Sequence, residues 1–252
     1  MPGTDTYYKL TDARDQTFGG CQWGENVTVE TSGKGPLCGP GWTHWYTHPL
    51  LAVLLSPILG RFDLAAAHLW EGRCDGVLRH DGGLKVGCTR GTTVRRVDLP
   101  VLTLEQRVRF AIGCTWQVEL DADWRRWAAR WLSGEDRSDA AMRAAVAASR
   151  ERSWAAAWAA AWAPGEAAQA PGEAAQAPGE AAQAAWAAAW AAARAALRPA
   201  AWVATWAAAR ATSWACAEAE EGEIDLIGLA EWAVTDSTEV PDCRRARGES
   251  HV

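Results

Sequence analysis

The first half of the chain alternates short apolar and polar runs, whereas the second half spaces tryptophan among alanines at helical intervals. Residues 6–10 and 26–30 have the residue types and period-two alternation of strands, with a Phe-Gly-Gly break between them. Three further strands are predicted at residues 67–74, 84–88 and 92–97, the first two joined by a turn over 79–83. Asp-Gly and Gly-Gly in that turn supply positive φ at little cost.

Two helices complete the predicted front domain. Thr47 is a plausible N-cap for a helix that carries Pro49 in its first turn, where proline is tolerated. Thr103 and Gln106 have the spacing of a capping box, which predicts a second helix start. We therefore predict a small α+β domain over residues 1–118.

The tryptophan spacing predicts helices after residue 118. The chain contains 17 Trp against 3 Phe and 3 Tyr. Trp124, Trp127 and Trp131 fall on one face of a helix. Further rows follow at steps of four residues: Trp154, Trp158, Trp162, Trp186, Trp190, Trp202 and Trp206. Alanine is the strongest helix former, and the fold class predicted here is an α+β N-terminal domain followed by an all-α Ala/Trp-rich helical region.

Composition divides this second half further. Three identical Pro-Gly-Glu-Ala-Ala-Gln-Ala repeats occupy residues 164–184, where proline and glycine oppose a continuous helix. The predicted segments are Trp/Ala/Arg helices at 119–163, a repeat spacer at 164–184, Ala/Trp helices at 185–216, an acidic segment with a short docking strand at 217–240, and a disordered tail at 241–252.

Charge and apolar content narrow the function classes. The net charge is −6, and residues 218–252 carry ten acidic and three basic side chains, so the acidity is C-terminal. No basic face suited to a phosphate backbone is evident, which makes nucleic acid an unlikely partner. No leader pattern and no apolar run of about 20 residues occurs, so we expect a soluble, cytoplasmic protein without membrane contact.

The seven cysteines have irregular spacing, which favours free thiols, and no cofactor is predicted.

A family pattern runs through the front domain. It comprises Tyr8-Lys9, Cys21, Cys38, Gly41-Trp42-Thr43-His44, Pro49-Leu50, Leu69-Trp70-Glu71-Gly72, Lys85-Val86 and Leu102-Thr103-Leu104-Glu105. This pattern resembles a small uncharacterised domain of phage and prophage proteins, which often continues into short Ala-rich repeats. Leu229-Ala230-Glu231-Trp232 resembles the strand that ends that family's members. The resemblance implies a phage or mobile-element protein, located in the host cytoplasm if phage-encoded, and implies no activity.

Two sets of residues are the first candidates for chemistry. Cys38, His44 and His48 have spacing that could hold a metal, with Cys21 as a fourth ligand, although loop and core packing explains the same residues. Gly41-Trp42 and the following helix distantly resemble ADP-ribosyltransferase-like domains. That resemblance would let His44 contact a nicotinamide ribose and Glu71 act as the catalytic acid, with Tyr8 in the same cleft.

The remaining candidates have simpler explanations. A nucleophilic Cys38 or Cys74 would need His44, His68 or His80 as its base, and no local signature supports such a pairing. A basic patch could form from five arginines, although pairing with nearby acids explains them equally: Arg90, Arg95, Arg96, Arg107 and Arg109.

The tryptophan rows carry the leading functional prediction. Alanine helices bury too little apolar area to fold alone, so the indoles must be covered by something. Either the rows bury one another within the chain, or they contact a protein partner or a second copy. We therefore predict a non-enzymatic interaction or assembly protein of phage or mobile-element type, with an ADP-ribosyltransferase-like enzyme as the alternative.

Overall fold

The computed structural model describes residues 6–37, 39–55, 64–80, 83–117, 122–138, 140–141 and 223–245. The chain divides by its internal contacts into a front unit, Met1–Leu102, and a rear unit, Thr103–Val252. The predicted rows from Trp154 to Trp206 and the repeat spacer lie outside the described residues.

A five-stranded sheet forms the front unit. Its strands are β1 (Tyr7–Thr11), β4 (Thr28–Glu30), β5 (Thr43–Trp45), β6 (His68–His80) and β7 (Val86–Val97). A separate hairpin joins β2 (Gln16–Thr17) to β3 (Cys21–Gln22). The spatial order is β1-β6-β7-β4, and β5 also pairs with β7. All of these pairings are antiparallel.

The sheet closes on itself through β1. Strand β7 pairs with β5 through Val86–Cys88 and with β4 farther along. Just after β5, the amide of Tyr46 donates to the carbonyl of Tyr8 at 2.9 Å, and the amide of Tyr8 donates to the carbonyl of Tyr46 at 2.8 Å. The circuit β1–β6–β7–β5–β1 therefore forms a closed ring of strands. Closure leaves an interior that side chains must fill.

Trp45 fills the centre of this ring. Its side chain has 0% exposed surface and packs with Tyr7, Trp23, Val86 and Cys88. The Trp23 ring meets the Trp45 ring edge-on, with centroids 5.5 Å apart, an arrangement that aromatic pairs favour. The alternation of β5 explains this placement, because Thr43 and Trp45 are buried while His44 between them is only half-buried.

Helix α1 (Pro49–Leu55) buries every residue from Leu51 onwards. The predicted helix is therefore confirmed, although the predicted cap is not. The ring Nδ1 of His48, not Thr47, accepts the amide of Leu50 at 3.3 Å. Because His48 also accepts the amide of Ala52 through its carbonyl, it starts the first turn.

The hairpin β6–β7 is longer than the sequence predicts. The two predicted strands at 84–88 and 92–97 are a single strand, β7, and β6 continues past Cys74 to His80. Pairing continues through Gly91, whose lack of a side chain weakened the strand pattern. The predicted turn at 79–83 lies at the hairpin end, and residues 81–82 within it are outside the described part of the chain.

Helices α2 (Leu104–Trp116) and α3 (Ala122–Ser133) begin the rear unit. The predicted capping box is confirmed, because the Thr103 hydroxyl accepts the Gln106 amide and the Gln106 side chain accepts the Thr103 amide. The predicted tryptophan face of α3 is also confirmed. Its three indoles, at Trp124, Trp127 and Trp131, are all buried.

A C-terminal segment packs against α2. Strands β8 (Glu223–Ile224) and β9 (Arg244–Arg245) pair around helix α4 (Leu226–Ala233). The Gln117 side chain, just past α2, donates to the carbonyl of Pro241 at 2.9 Å and accepts the amide of Cys243 at 3.0 Å. Arg109 on α2 donates to the carbonyl of Ala233 and lies over the Trp232 ring, 4.7 Å from its centroid. These contacts join residues more than 100 positions apart.

The predicted fold class was wrong. The described rear residues combine helices with the β8–β9 ladder, so this region is not all-α. The predicted docking strand is limited to Glu223–Ile224. The residues after it form α4, because the Asp225 carboxylate caps the Gly228 amide at 2.9 Å. Helix α2, predicted as part of the front domain, packs against α4 within the rear unit.

No helix in the described residues combines the length and apolarity needed to cross a membrane.

A substitution at Gly91 tests whether Trp45 fills the ring tightly. A Cβ atom at Gly91 would lie 2.6 Å from Nε1 and 2.7 Å from Cζ2 of Trp45. Because that indole is fully buried, we expect Gly91→Ala to lower the free energy of unfolding by about 1–3 kcal/mol. Urea unfolding followed by circular dichroism measures the loss. Gly24→Ala is the control, since its Cβ would meet only the Val27 methyl group at 3.4 Å. Equal stability of both variants would contradict tight packing.

Candidate functional site

A buried lysine lies beside the indoles that fill the ring. Lys9 is only 5% exposed, and its Nζ lies 4.3 Å from the Trp23 ring centroid and 5.0 Å from that of Trp45. The ammonium group donates to the carbonyl of His44 at 2.8 Å. Alternate residues of a strand face the same side, so Lys9 on β1 faces inward together with the buried Tyr7. Cation–π contacts and one carbonyl therefore replace the water that an exposed lysine would have.

Burial changes the acidity of this amine. It lowers the pKa of Lys9 from its usual 10.5 to about 8, although nearby Cys21, Cys88 and Cys74 act in the opposite direction. A lysine with this pKa is partly neutral near physiological pH, which makes it a potential proton acceptor or nucleophile.

Three cysteines surround Lys9 in the same interior. Cys21 lies on β3, Cys74 on β6 and Cys88 on β7, and all three are free thiols. Cys88 is fully buried and belongs to the indole cluster, whereas Cys21 and Cys74 are half-buried and pack against it. The hairpin and the long β6–β7 ladder bring these residues together from distant positions in the chain.

Cys88 is the most polarised of the three. A hydrogen bond from the Cys74 thiol lowers the pKa of Cys88 to about 7 against the effect of burial, and the Thr43 hydroxyl and the Lys9 charge act in the same direction. The Thr43 Oγ1 lies 3.1 Å from the Cys88 sulfur. Burial, followed by the hydrogen bond to Cys88, raises the pKa of Cys74 well above its usual value. The Cys88 thiol also donates to the carbonyl of Arg90 at 3.3 Å.

A bulge in β6 shapes the region around this pair. The register of β6 against β7 shifts between Asp75 and Leu78, and Gly76 has a φ of +79°. A Cβ atom at Gly76 would lie 2.3 Å from the Thr89 hydroxyl oxygen. The bulge therefore needs glycine at this position.

A second polar cluster is centred on Asp15. This residue adopts a φ of +59°, which non-glycine residues rarely adopt. Its carboxylate accepts hydrogen bonds from His68 Nδ1 at 2.8 Å, Trp70 Nε1 at 3.0 Å and the Arg96 guanidinium at 2.8 Å. Burial would raise the pKa of Asp15, but the hydrogen bonds from His68 and Trp70 and the Arg96 charge lower it overall.

The Asp15 cluster joins the turn after β1 to β6 and β7. The carboxylate orients the imidazole of His68, the arrangement that lets a histidine act as a base. The sequence analysis predicts His68 only as a possible base for a nucleophilic Cys38 or Cys74. No sequence signal points to Asp15, because 53 residues separate it from His68.

The residues predicted for an ADP-ribosyltransferase-like site lie on neighbouring strands. Tyr8 is opposite Glu71 in the β1–β6 ladder and opposite Tyr46 on its other side, and His44 lies two residues before Tyr46. The register thus places the three side chains on one face of the sheet. Glu71 forms an ion pair with Arg95, and the His44 ring contacts the carbonyl of Leu37. This alternative stays a prediction.

The predicted metal ligands are only partly described. Cys38 lies outside the described residues. His44 is on β5, whereas His48 caps α1. In the described ranges, no group of three or more His, Cys, Asp or Glu side chains has an arrangement that could hold a metal ion.

The five arginines proposed as a basic patch divide between the two units. In the front unit, each of the three is paired with an acid: Arg90 with Glu30, Arg95 with Glu71 and Arg96 with Asp15. Arg107 and Arg109 are buried on α2 in the rear unit. Arg107 and Arg109 are therefore not part of an exposed patch.

Comparison of the chain with family models, curated proteins and solved structures finds no match. The resemblance to the phage and prophage domain therefore stays a prediction, and the site has to be interpreted from its own geometry.

The Lys9–cysteine cluster is the feature that sequence reasoning missed. The alternation of Tyr7 and Lys9 in β1 could have indicated an inward lysine. Nothing in the spacing of Cys21, Cys74 and Cys88 indicates their proximity, because the β6 bulge and the short β2–β3 hairpin determine it.

The pH dependence of stability tests the burial of Lys9. Between pH 8 and 10.5 the unfolded chain holds a proton on Lys9 that the folded chain has released, so this residue makes stability rise with pH across that window. Below pH 8 the cost of burying the charge is constant. We expect the difference in unfolding free energy, Lys9→Met minus wild type, to fall between pH 8 and 10.5.

Chemical denaturation at several pH values measures this difference, and Lys34→Met, which removes an exposed lysine, is the control. A Lys9→Met difference that does not change with pH would show that the amine is not buried in its charged form.

Proposed function

We propose that the chain is an interaction or assembly protein of phage or mobile-element type, in which the tryptophan rows beyond α3 contact protein. The observation that supports this proposal is the burial of the row on α3. Trp124, Trp127 and Trp131 are 0%, 6% and 6% exposed, although the helix between them carries arginines and alanines. A helix of this composition thus has its indoles covered.

The indoles of the later tryptophan rows also need an apolar surface to pack against. Trp154, Trp158 and Trp162 repeat every four residues, as do the pairs Trp186/Trp190 and Trp202/Trp206. Each indole buries a large area, while the intervening alanines bury little. Aromatic anchors of this kind dominate the energy of protein interfaces. A second copy of the chain supplies matching rows, so self-association is the form of assembly that we propose.

The contacts in the front unit support a structural role for that unit. The groups that the enzyme alternative needs are engaged with the protein, Glu71 with Arg95 and His44 with Leu37. The Asp15 cluster likewise ties a turn to the sheet. We assign the front unit the role of a folded head.

Sedimentation velocity of the full chain at several concentrations tests the proposal. We expect the average mass to rise with concentration, and the double variant Trp186→Ala/Trp190→Ala to weaken association at least tenfold, because each lost anchor costs about 1–2 kcal/mol or more. The control is Ala188→Ser/Ala192→Ser, which keeps the four-residue spacing but lies on the opposite side of the same predicted helix. A strict monomer with blue-shifted tryptophan emission at all concentrations would overturn the proposal and favour packing within one chain.

A further inference from the structure

We propose that His68 accepts a phosphoryl group at Nε2 from a small acyl phosphate, with Asp15 fixing the imidazole and Arg96 binding the phosphate oxygens. This inference concerns the front unit and does not depend on the proposed assembly. It rests on the hydrogen bonds through which one carboxylate holds both an imidazole and a guanidinium group.

The Asp15 carboxylate determines which ring nitrogen of His68 carries the proton. His68 Nδ1 lies 2.8 Å from Oδ1 of Asp15. Burial would raise the pKa of Asp15, but hydrogen bonds from His68 and Trp70 and a nearby arginine charge lower it overall, so the carboxylate is ionised at neutral pH. An ionised carboxylate only accepts hydrogen bonds, so Nδ1 must be the donor. A neutral imidazole that has its proton on Nδ1 has its lone pair on Nε2.

The Nε2 atom is the reactive end of this imidazole. His68 is the first residue of β6, and its side chain is 27% exposed. Among the residues that the structure describes, none hydrogen-bonds Nε2, and this atom is not buried. An unprotonated imidazole nitrogen that solvent can reach is a nucleophile, and histidine forms covalent intermediates in this way.

Arg96 provides the cation that a phosphate group needs. One of its guanidinium nitrogens donates to Oδ2 of Asp15 at 2.8 Å, on the other oxygen of the carboxylate that holds His68. The guanidinium carbon also lies 5.1 Å from the centroid of the Trp70 ring, a stacking contact that keeps the group in place. The side chain is 48% exposed. The N–H groups that do not bind Asp15 can therefore donate to phosphate oxygens.

The turn that carries Asp15 is itself held in place. Its φ of +59° lies in a region that Asp and Asn adopt more readily than most residues. The Asp12 carboxylate accepts the amides of Arg14 and Gln16, each at 2.8 Å, and the Asp15 carbonyl accepts the amide of Trp23 at 2.8 Å. The carboxylate is thus positioned before a substrate arrives, which is the condition for efficient transfer.

The transfer balances without a cofactor or an oxidant. The Nε2 lone pair forms an N–P bond, while the P–O bond to the acyl group breaks and its electron pair leaves with the carboxylate product. An acyl phosphate suits the site because this leaving group needs no proton. The imidazole becomes a cation that keeps its Nδ1 proton, and it forms an ion pair with Asp15. Arg96 stabilises the negative charge of the phosphoryl oxygens.

Reaction of the full chain with acetyl phosphate near neutral pH tests the site. Trypsin then releases His68 in residues 62–73 and the exposed His80 in residues 80–85. We expect a phosphoryl group on His68 that acid removes and alkali does not. It should form at least about tenfold faster than on His80, because only His68 has an oriented ring beside a bound cation. Reaction of His68 no faster than that of His80 would overturn the assignment.

Phosphorus NMR of the product tests the role of Asp15. We expect only the Nε2 isomer in the wild-type chain, because Asp15 holds Nδ1. In Asp15→Asn, we expect the rate to fall at least about tenfold and the Nδ1 isomer to appear, since an amide does not fix the tautomer. Asn suits the positive φ of this turn. A wild-type product on Nδ1, or an unchanged rate and isomer in Asp15→Asn, would contradict the proposal.

Two arginine variants test the binding of the phosphate. Arg96→Gln is expected to raise the acetyl phosphate concentration that gives half the maximal rate by about tenfold. Arg95→Gln is the matched control, because it removes the neighbouring exposed arginine, which pairs with Glu71 instead. Equal effects of the two substitutions would refute the role of Arg96. Circular dichroism verifies folding, and if a variant does not fold, the wild-type comparison of His68 with His80 decides alone.

Discussion

The front unit depends on the packing of one indole, that of Trp45, between two strands that lack side chains where it contacts them. Gly72 on β6 and Gly91 on β7 both face this ring, and a Cβ at either would overlap it. With Trp45 in place, β5 is held against β7, and the next residue, Tyr46, reaches β1. One large side chain therefore determines both the core and the closure of the sheet.

The same packing explains why the interior contains polar chemistry. A ring this small is filled by Trp45 and Trp23, and the space beside them is occupied by the Lys9 side chain and three thiols. The indole faces stabilise the ammonium group, and its charge in turn lowers the pKa of Cys88. The cluster is thus a consequence of how β1, β6 and β7 meet. The lysine and the thiols in it contact indole rings instead of water.

Elements with strong local signals could be predicted from the sequence. Thr103 and Gln106 define the start of α2 because a capping box involves only four residues, and the three tryptophans of α3 define its buried face by spacing alone. Features that join distant segments could not be predicted. The Asp15–His68 contact, the cysteine cluster and the Gln117 bridge to the C-terminal segment all depend on tertiary structure. The helix α4 was missed because its apolar run is short, and only the cap at Asp225 distinguishes it from a strand.

Amide hydrogen exchange of the full chain tests most directly whether the ring of strands is closed. The Tyr8 and Tyr46 amides each donate to the other's carbonyl, so their protection reports the contact that completes the circuit. If closure is part of the folded core, both amides exchange as slowly as those of the β6–β7 ladder. They then become exchangeable in the same opening reaction as that ladder. Exchange of Tyr8 and Tyr46 orders of magnitude faster than that ladder would show an open sheet and would contradict this account.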